Sequence, residues 1–387
     1  MKRLAVVVCA ALLASVMSIT VAPSGAGAGP GTYGVTSKNV EHVKFVPFEV
    51  GTATGANVIG HYLYVTSWKS FSIYDVSNPL NPKRLSTTPF GFKFENENVS
   101  TNGKILLFSE QAPVDTLHVW DVEDKTNPKE IGTLIGGGTH TATCILHCTY
   151  DYGSYDLNGP QGPSTGGSLI DLHDPTKPKQ VGYWNKHLPA QKIHDIVEVR
   201  PGMILAASQP IMYLDARKDP LHPTLLAKGT NIDKRMHSVI WPRHGRDRFL
   251  ISTFETNGTP RCEAGTGDVT VWDASQWRKT HTFVDIDHWT ITNGDYVDGR
   301  PPANELGCSP HWLQENPHFH NGGIVAIGYY EHGTRFLRVS PQGKLSEVGY
   351  FLPWQGSTSA AYWLTDRIVY SIDYERGIDI LRYKGDF

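Results

Sequence analysis

This sequence of 387 residues predicts an all-β protein, on three observations. Its 38 glycines and 25 prolines suit many short strands joined by turns, and only 19% of the residues are charged. No window shows sustained helical periodicity, which excludes a coiled coil or a helical bundle. A strand-and-turn motif recurs along the chain at intervals typical of the blades of a β-propeller. The 10 Trp, 17 Tyr and 14 Phe can form a large core, so a disordered protein is also excluded.

The N-terminus has the pattern of an export signal. Lys2 and Arg3 precede a short apolar run, and a stretch of small residues at 24–28 follows. We therefore expect residues 1–28 to be a signal peptide and residues 29–387 to form one secreted domain. No other stretch approaches the roughly 20 apolar residues of a membrane-spanning helix, so no membrane anchor is expected.

Four cysteines follow the predicted signal peptide, an even number in a compartment that permits disulfides. Three pairings are possible. We favour Cys144 with Cys148, which would staple a local turn. Cys262 would then pair with Cys308 and close a long insertion. A structural zinc site is the alternative, although the paired C-x-x-C spacing of zinc ribbons is absent.

The repeated motif is an apolar strand that ends at an aspartate and is followed by an Asn/Asp-Pro turn. Aspartate accepts hydrogen bonds from nearby backbone N–H groups, and proline presets the turn dihedral. Each copy is preceded by two more short apolar strands, so the repeat unit has four strands. The clearest copy is SIYDVSNPLNPK at 72–83, and the motif aspartates are Asp75, Asp121, Asp171, Asp215 and Asp273.

Counting these units predicts a seven-bladed β-propeller of four-stranded blades. The seventh blade opens at Thr358 and is too short to supply its own outer strand. The alternating segment from Glu41 to Val50 has no blade of its own, so we expect this N-terminal strand to close the ring. The other six blades are expected at about 56–89, 96–138, 140–187, 192–232, 235–291 and 308–356.

The motif resembles the repeat of the LVIVD-repeat β-propellers, and the resemblance covers nearly the whole predicted mature chain. Three segments are also similar to a subgroup of exported actinobacterial proteins. The resemblance implies the propeller architecture and leaves the activity open, because propellers support many functions. The three segments are THTATC at 139–144, CSPHW at 308–312 and RGIDIL at 376–381.

The first strands of the blades carry an unusual set of residues at their starts. Glu97, His194 and His237 share one aligned position, blade three begins at His140, and blade six begins at about His311. The inner strands of a propeller all run in the same direction, so their starts form a ring at one mouth of the channel. Converging imidazoles with no Lys or Arg among them are suitable ligands for a divalent transition metal. The alternative is a channel lined by neutral histidines that only pack and hydrogen-bond.

Three functions are compatible with this pattern. The leading hypothesis is a secreted metal-dependent enzyme. Its metal would be Cu or Fe, with Zn or Mn as the other possibility. Oxidative chemistry is preferred, because four neutral nitrogen ligands suit Cu or Fe. Glu97 would be a fifth ligand, an orienting group or a proton acceptor. The second is a metal-assisted uronate lyase, in which Glu97, Tyr362 or a histidine removes the α proton. Both take a small-molecule or polysaccharide substrate.

The third hypothesis is a non-catalytic binding scaffold with an aromatic ligand platform. The formal net charge of −3 argues against nucleic acid as a partner, and a monomer is expected. The candidate platform residues are Trp68, Trp184, Trp241, Trp312 and Trp354.

Overall fold

The computed structural model describes residues 33–48, 54–90, 97–110, 114–154, 167–189, 191–256, 267–291 and 306–387. The predicted signal peptide and Cys262 lie outside the described residues. The described residues include two short helices, α1 (Pro242–Gly245) and α2 (Trp277–Thr280). No helix among the described residues is long and apolar enough to cross a membrane.

Nearly all regular structure is β-strand. The strands, in chain order, are β1 (Gly34–Thr36), β2 (Val40–Pro47), β3 (Gly55–Ile59), β4 (Tyr62–Thr66), β5 (Ser70–Asp75), β6 (Lys83–Pro89), β7 (Ser100–Thr101), β8 (Ile105–Glu110), β9 (Thr116–Asp121), β10 (Lys129–Ile135), β11 (Ala142–Ile145), β12 (Tyr150–Gly153), β13 (Ser168–Asp171), β14 (Lys179–Tyr183), β15 (Gln191–Arg200), β16 (Met203–Gln209), β17 (Met212–Asp215), β18 (Thr224–Gly229), β19 (Ser238–Ile240), β20 (Phe249–Phe254), β21 (Asp268–Asp273), β22 (Thr282–Trp289), β23 (Leu313–Glu315), β24 (Gly323–Gly328), β25 (Thr334–Val339), β26 (Leu345–Pro353), β27 (Thr358–Trp363), β28 (Ile368–Asp373) and β29 (Gly377–Tyr383).

The strands form antiparallel meanders. Strands β3–β6, β7–β10 and β11–β14 are separate four-stranded sheets. Strands β15–β18 and β19–β22 are joined by a short parallel pairing of β18 with β22 into one eight-stranded sheet. Strands β23–β26 gain β1 as a fifth strand, and β27–β29 gain β2, which runs antiparallel to β29 from Val40 opposite Tyr383 to Pro47 opposite Gly377. The chain therefore has a β-propeller-like all-β fold.

The aspartate that ends each repeat strand caps the turn that follows it. The Oδ1 atom of Asp75 accepts the backbone N–H of Ser77 at 2.9 Å, and Asn78 accepts that of Leu80 at 3.1 Å. These side chains mimic a backbone turn, which explains why the motif needs Asp and Asn at these two positions. The motif aspartates 121, 171, 215 and 273 make the same bond to the residue two positions ahead.

The hydrophobic core lies between neighbouring sheets. Tyr64 and Phe71 of the first sheet pack with Phe108 and Trp120 of the second. Residues of β3–β6 also pack with residues of β27–β29, which brings the first and last sheets into contact.

One of the two expected disulfides lies wholly in the described residues. Cys144 and Cys148 are bonded, with an S–S distance of 2.07 Å, as predicted. Cys308 is disulfide-bonded as well, and its predicted partner Cys262 lies outside the described residues. The zinc alternative is therefore wrong for these three cysteines, because their sulfurs are not available as thiolate ligands.

Candidate metal centre

The first strands of five four-stranded units bring their predicted residues together. Glu97 precedes β7, His140 precedes β11, and His237 and His311 precede β19 and β23. His194 is within β15. Because these strands start at the same end of their sheets, the five side chains converge, and their proposed role as metal ligands or catalytic groups stays a prediction.

Glu97 is at the centre of the cluster. Its Oε2 atom lies 3.0 Å from Nε2 of His311 and 3.3 Å from Nε2 of His237, and its Oε1 atom lies 3.9 Å from Nε2 of His140. The indole N–H of Trp312 donates to Oε2 at 3.1 Å. One buried carboxylate thus contacts three sheets besides its own.

The imidazoles form a continuous row. The Nε2 atoms of His140 and His194 are 3.0 Å apart. The ring centroids of His194 and His237 are 4.0 Å apart, and those of His237 and His311 are 4.2 Å apart. His311 donates its Nδ1–H to the carbonyl oxygen of Ser359 at 2.8 Å, which directs its Nε2 atom toward Glu97.

His237 is the most unusual member of the row. Its side chain is fully buried, with 0% of its surface exposed. Its Nδ1 atom has no hydrogen-bond partner among the described residues, and its Nε2 atom has only the contact with Glu97 at 3.3 Å. A buried imidazole nitrogen without such a partner loses its hydration without compensation, and a metal ion is one group that such a nitrogen can bind.

Glu255 is a further member of the site that the alignment of first strands does not include. It follows β20, which pairs antiparallel with β19, so it lies at the same end of the sheet as His237. Tyr330 donates its hydroxyl proton to Oε1 of Glu255, and Arg235 lies with Nη2 3.4 Å from Oε2. The antiparallel pairing of β19 and β20 is the sequence signal that could have found Glu255.

Two overlapping groups of side chains have ligand atoms close enough for one ion. All the atoms of each group lie within 4.8 Å of one another. The groups are Glu97 with His194 and His237, and His237 with Glu255 and His311.

Burial and proximity alter the protonation of these groups. Burial lowers the pKa of His140, and it lowers the pKa of His194 well below its usual range, with neighbouring imidazoles acting in the same direction. Burial and the neighbouring His311 lower the pKa of His237. Burial alone would raise the pKa of Glu97, but the neighbouring imidazoles hold it well below its usual range. These directions favour neutral His140, His194 and His237 beside an ionised Glu97, and neutral imidazoles with an ionised carboxylate are the forms that bind metal.

Tyr362, the second predicted catalytic residue, lies outside both groups of candidate ligands. It is half-buried in β27 and packs against the core between the first and last sheets. Burial raises the pKa of Tyr362, and the charges of Asp195 and Glu97 raise it further. Tyr362 is therefore near the site and protonated, so it lacks the phenolate that a base would need.

A second polar layer lies beside the histidine row. Asn98 donates to Oδ1 of Asp195 at 3.1 Å and to the hydroxyl oxygen of Thr143 at 3.1 Å. Asp195 is fully buried, and burial raises its pKa well above the usual range. This layer joins three first strands by side-chain contacts.

Comparison with known proteins agrees with the repeat and the fold. Residues 50–86 match the family model described as LVIVD repeat. The chain carries an LVIVD repeat. This LVIVD repeat spans β3, β4, β5 and the first part of β6. No curated protein matches the sequence.

Many solved structures share the fold of this LVIVD-repeat chain. One of them, titled "Structure of U3-55K", is similar with a TM-score of 0.59 and 9% sequence identity. The similarity covers 92% of this chain and 100% of that chain. At this identity it shows a common fold and nothing about activity.

Proposed function

We propose that this protein is a metal-dependent enzyme whose transition-metal ion is held by His140, His194, His237, His311 and Glu97. The observation that carries the proposal is the fully buried His237, whose Nδ1 atom has no hydrogen-bond partner among the described residues, within a cluster of candidate ligands. A divalent ion would satisfy the imidazole nitrogen and the carboxylates at once.

The donor set fits such an ion. Imidazole nitrogens suit Cu, Fe and Zn, and Glu97 and Glu255 add hard oxygen donors. The Ser359 carbonyl that accepts the Nδ1–H of His311 is an outer partner of the kind that orients metal-bound histidines. Bound Cu or Fe would supply oxidative chemistry, which we prefer, whereas Zn or Mn would act as a Lewis acid. The protein itself would position the ion, exclude water and keep Glu97 ionised beside it.

The proposal includes the finer architecture. We infer a ring of seven blades, made from the four-stranded units β3–β6 to β23–β26 and a last unit of β27–β29 with β2. The packing of Leu63 and Val65 against Tyr370 and Ile380, and the hydrogen bond from the Tyr370 hydroxyl to the Pro79 carbonyl, support closure between the last unit and the first. Export from the cell, by the signal peptide expected at 1–28, and the actinobacterial subgroup remain parts of this proposal.

Elemental analysis tests the proposed centre. The protein is produced without a histidine tag in metal-replete medium, beside His237→Ala and His173→Ala variants. We expect about one Cu or Fe per wild-type chain and a fall of more than about tenfold in His237→Ala, since a buried ligand is removed. His173, whose side chain is 62% exposed, is the control and should leave the metal content unchanged. Full metal content in His237→Ala would contradict the proposed ligand set.

The identity of the metal separates the two enzyme hypotheses. Cu or Fe directs the next assay to O₂ consumption, whereas Zn or Mn favours the uronate lyase. The lyase is tested by the absorbance of unsaturated product from uronic-acid polymers. Glu97 is its better candidate base, because Tyr362 is protonated.

A binding scaffold is a second candidate, and the exposure of two tryptophans favours it. Trp68 is 39% exposed and Trp354 is 45% exposed, in connections at the end of the sheets where the first strands begin. The other three candidate platform residues are buried, so the structure contradicts their role as ligand contacts: Trp184, Trp241 and Trp312. Absence of metal from wild-type protein, together with sugar binding that Trp68→Ala and Trp354→Ala reduce, would favour the scaffold.

A further inference from the structure

Arg235 is a cation at the edge of the candidate metal centre. It precedes His237 by two residues in the connection between β18 and β19. Its positive charge acts on both His140 and His194, so it lies within electrostatic reach of that side of the histidine row. Its neighbour Lys234 is paired with Asp268.

The contact between Arg235 and the site is loose and partly open to solvent. Nη2 of Arg235 lies 3.4 Å from Oε2 of Glu255, which is long for a charge-assisted hydrogen bond. The Arg235 side chain is 27% exposed, whereas those of His237 and His311 are fully buried. A planar guanidinium has five N–H donors, and within the part of the chain that the structure describes, one long contact to Glu255 uses few of those of Arg235.

The charges of the site indicate what the remaining donors would bind. A divalent ion and the guanidinium bring three positive charges, and Glu97 and Glu255 bring two negative ones. With neutral imidazole ligands, the loaded centre keeps one positive unit in a water-poor environment. A single negative charge on a bound molecule would neutralise it, and Coulomb attraction is strong at the low effective dielectric of such a site.

We propose that Arg235 binds the carboxylate of a monoanionic substrate beside the metal ion. Arginine pairs with carboxylates through two parallel N–H···O bonds, which would fix the orientation of the substrate as well as its charge. The inference rests on the proposed metal centre and adds the substrate class to it. Arg235 would be a specificity-determining residue, and neutral analogues of the substrate would bind poorly.

Acetate and its neutral isostere acetamide are the probes. Full-length wild-type protein and the Arg235→Gln and Arg235→Lys variants are loaded with Cu²⁺, and the change in the d–d absorption band is followed as each probe is added. Arg246→Gln removes one exposed positive charge beyond the far end of β19 and is the matched control. The copper content of every sample is measured in parallel.

We expect acetate to bind the wild type, with a Kd raised about 10- to 100-fold in Arg235→Gln, since a charge-assisted hydrogen-bond pair is lost. Arg235→Lys should restore part of the affinity, Arg246→Gln should match the wild type, and acetamide should bind far more weakly than acetate. Full copper content with unchanged acetate affinity in Arg235→Gln would overturn this inference alone. A wild-type protein that takes up no metal would overturn the proposed function as well, so the two failures are distinguishable.

Discussion

At the scale of residues, the main feature of the site is that it contains two buried carboxyl groups. Glu97 and Glu255 are both almost fully buried, and the pKa of each is held below its usual range by neighbouring imidazoles that outweigh burial. Both carboxyl groups are therefore ionised in the folded protein near neutral pH, beside histidine nitrogens that can also bind a cation. Binding of a metal ion to this set of groups is expected to stabilise the folded protein further.

Asp151 gives a pH-dependent prediction away from the candidate ligands. It is fully buried, its Oδ1 atom accepts the backbone N–H of Thr143, and burial raises its pKa to about 8. Between about pH 4 and pH 8 the unfolded chain has lost this proton while the folded protein retains it, so stability falls as pH rises. Relative to Asp151→Asn, the wild type should lose up to about 1.4 kcal/mol per pH unit.

Urea unfolding of both proteins from pH 5 to pH 9 measures this difference. Asp174→Asn is the control, because the Asp174 carboxyl is exposed and hydrogen bonds from Thr176 lower its pKa. The difference in the free energy of unfolding between the wild type and Asp174→Asn is therefore expected to be independent of pH above pH 6. A pH-independent difference between wild type and Asp151→Asn would show that Asp151 is ionised in the folded protein.

The residues that could be predicted from sequence are those that share a position in the repeat. Glu97, His194 and His237 align because their strands begin at the same edge, and that position alone brings them together. Glu255 directly follows β20, and Arg235 lies in the connection between β18 and β19. The alignment of first strands covers neither position. Their contacts depend on how one sheet packs beside the next, and that packing leaves no periodic signal in the sequence.

At the scale of elements, the connections that lead into the first strands control the site. The segment between β10 and β11 carries His140, and it passes so close to β8 that only glycine fits at position 138. A Cβ atom at Gly138 would lie 1.9 Å from the carbonyl oxygen of Glu110 and 2.4 Å from the backbone nitrogen of Thr116. This close approach restricts the position of the backbone that carries the His140 side chain.

Gly138→Ala is therefore expected to shift this connection. The backbone clash should lower the free energy of unfolding by about 1–3 kcal/mol, and the displaced His140 should weaken metal binding. Competition with a chromophoric chelator measures the affinity. Gly136→Ala is the control: its φ of 80° strains alanine, but no atom lies within 4 Å of the added Cβ. Equal metal affinity in Gly138→Ala and wild type would show that His140 tolerates the shift or is not a ligand.

The repeat strands and their turns were accessible from sequence for a physical reason. Each aspartate at a strand end caps its own turn through a bond only two residues long, so the signal is local. Strand β1 was not predicted, because it has only three residues and owes its place to pairing with β26. Such pairing is a property of the folded chain and not of the segment itself.

At the scale of the whole molecule, the N-terminal strand joins the two ends of the described chain. Strand β2 pairs with β29, and Val40 is buried against Leu381 and Tyr383. Lys44 and Asn81 are also hydrogen-bonded, which links β2 to the turn that follows β5. The first and last sheets thus depend on a segment that is distant from both β28 and β29 in sequence.

Truncation tests this dependence. A chain that starts at residue 49 lacks β1 and β2 and leaves the outer edge of β29 unpaired, whereas a chain that starts at residue 29 retains both strands. We expect the Tm of the shorter chain to be lower by more than about 5 °C, which corresponds to a loss of about 4 kcal/mol in a protein of this size, or the chain to aggregate through its open edge. Circular dichroism and light scattering measure the two effects. The same Tm in both chains would show that β2 is dispensable.

The parallel pairing of β18 with β22 has a consequence for how the protein moves. The four-stranded units that carry His194 and His237 are hydrogen-bonded at their outer edge, where Lys228 lies opposite Thr282, and the two imidazoles are in contact at the inner edge. They also share a core cluster that contains Tyr213 and Trp241. Because the two units are joined at both their outer and inner edges, we expect them to unfold together as one cooperative unit. The slowest amide hydrogen exchange is therefore expected in these strands, and local opening is expected first at the contacts between other units.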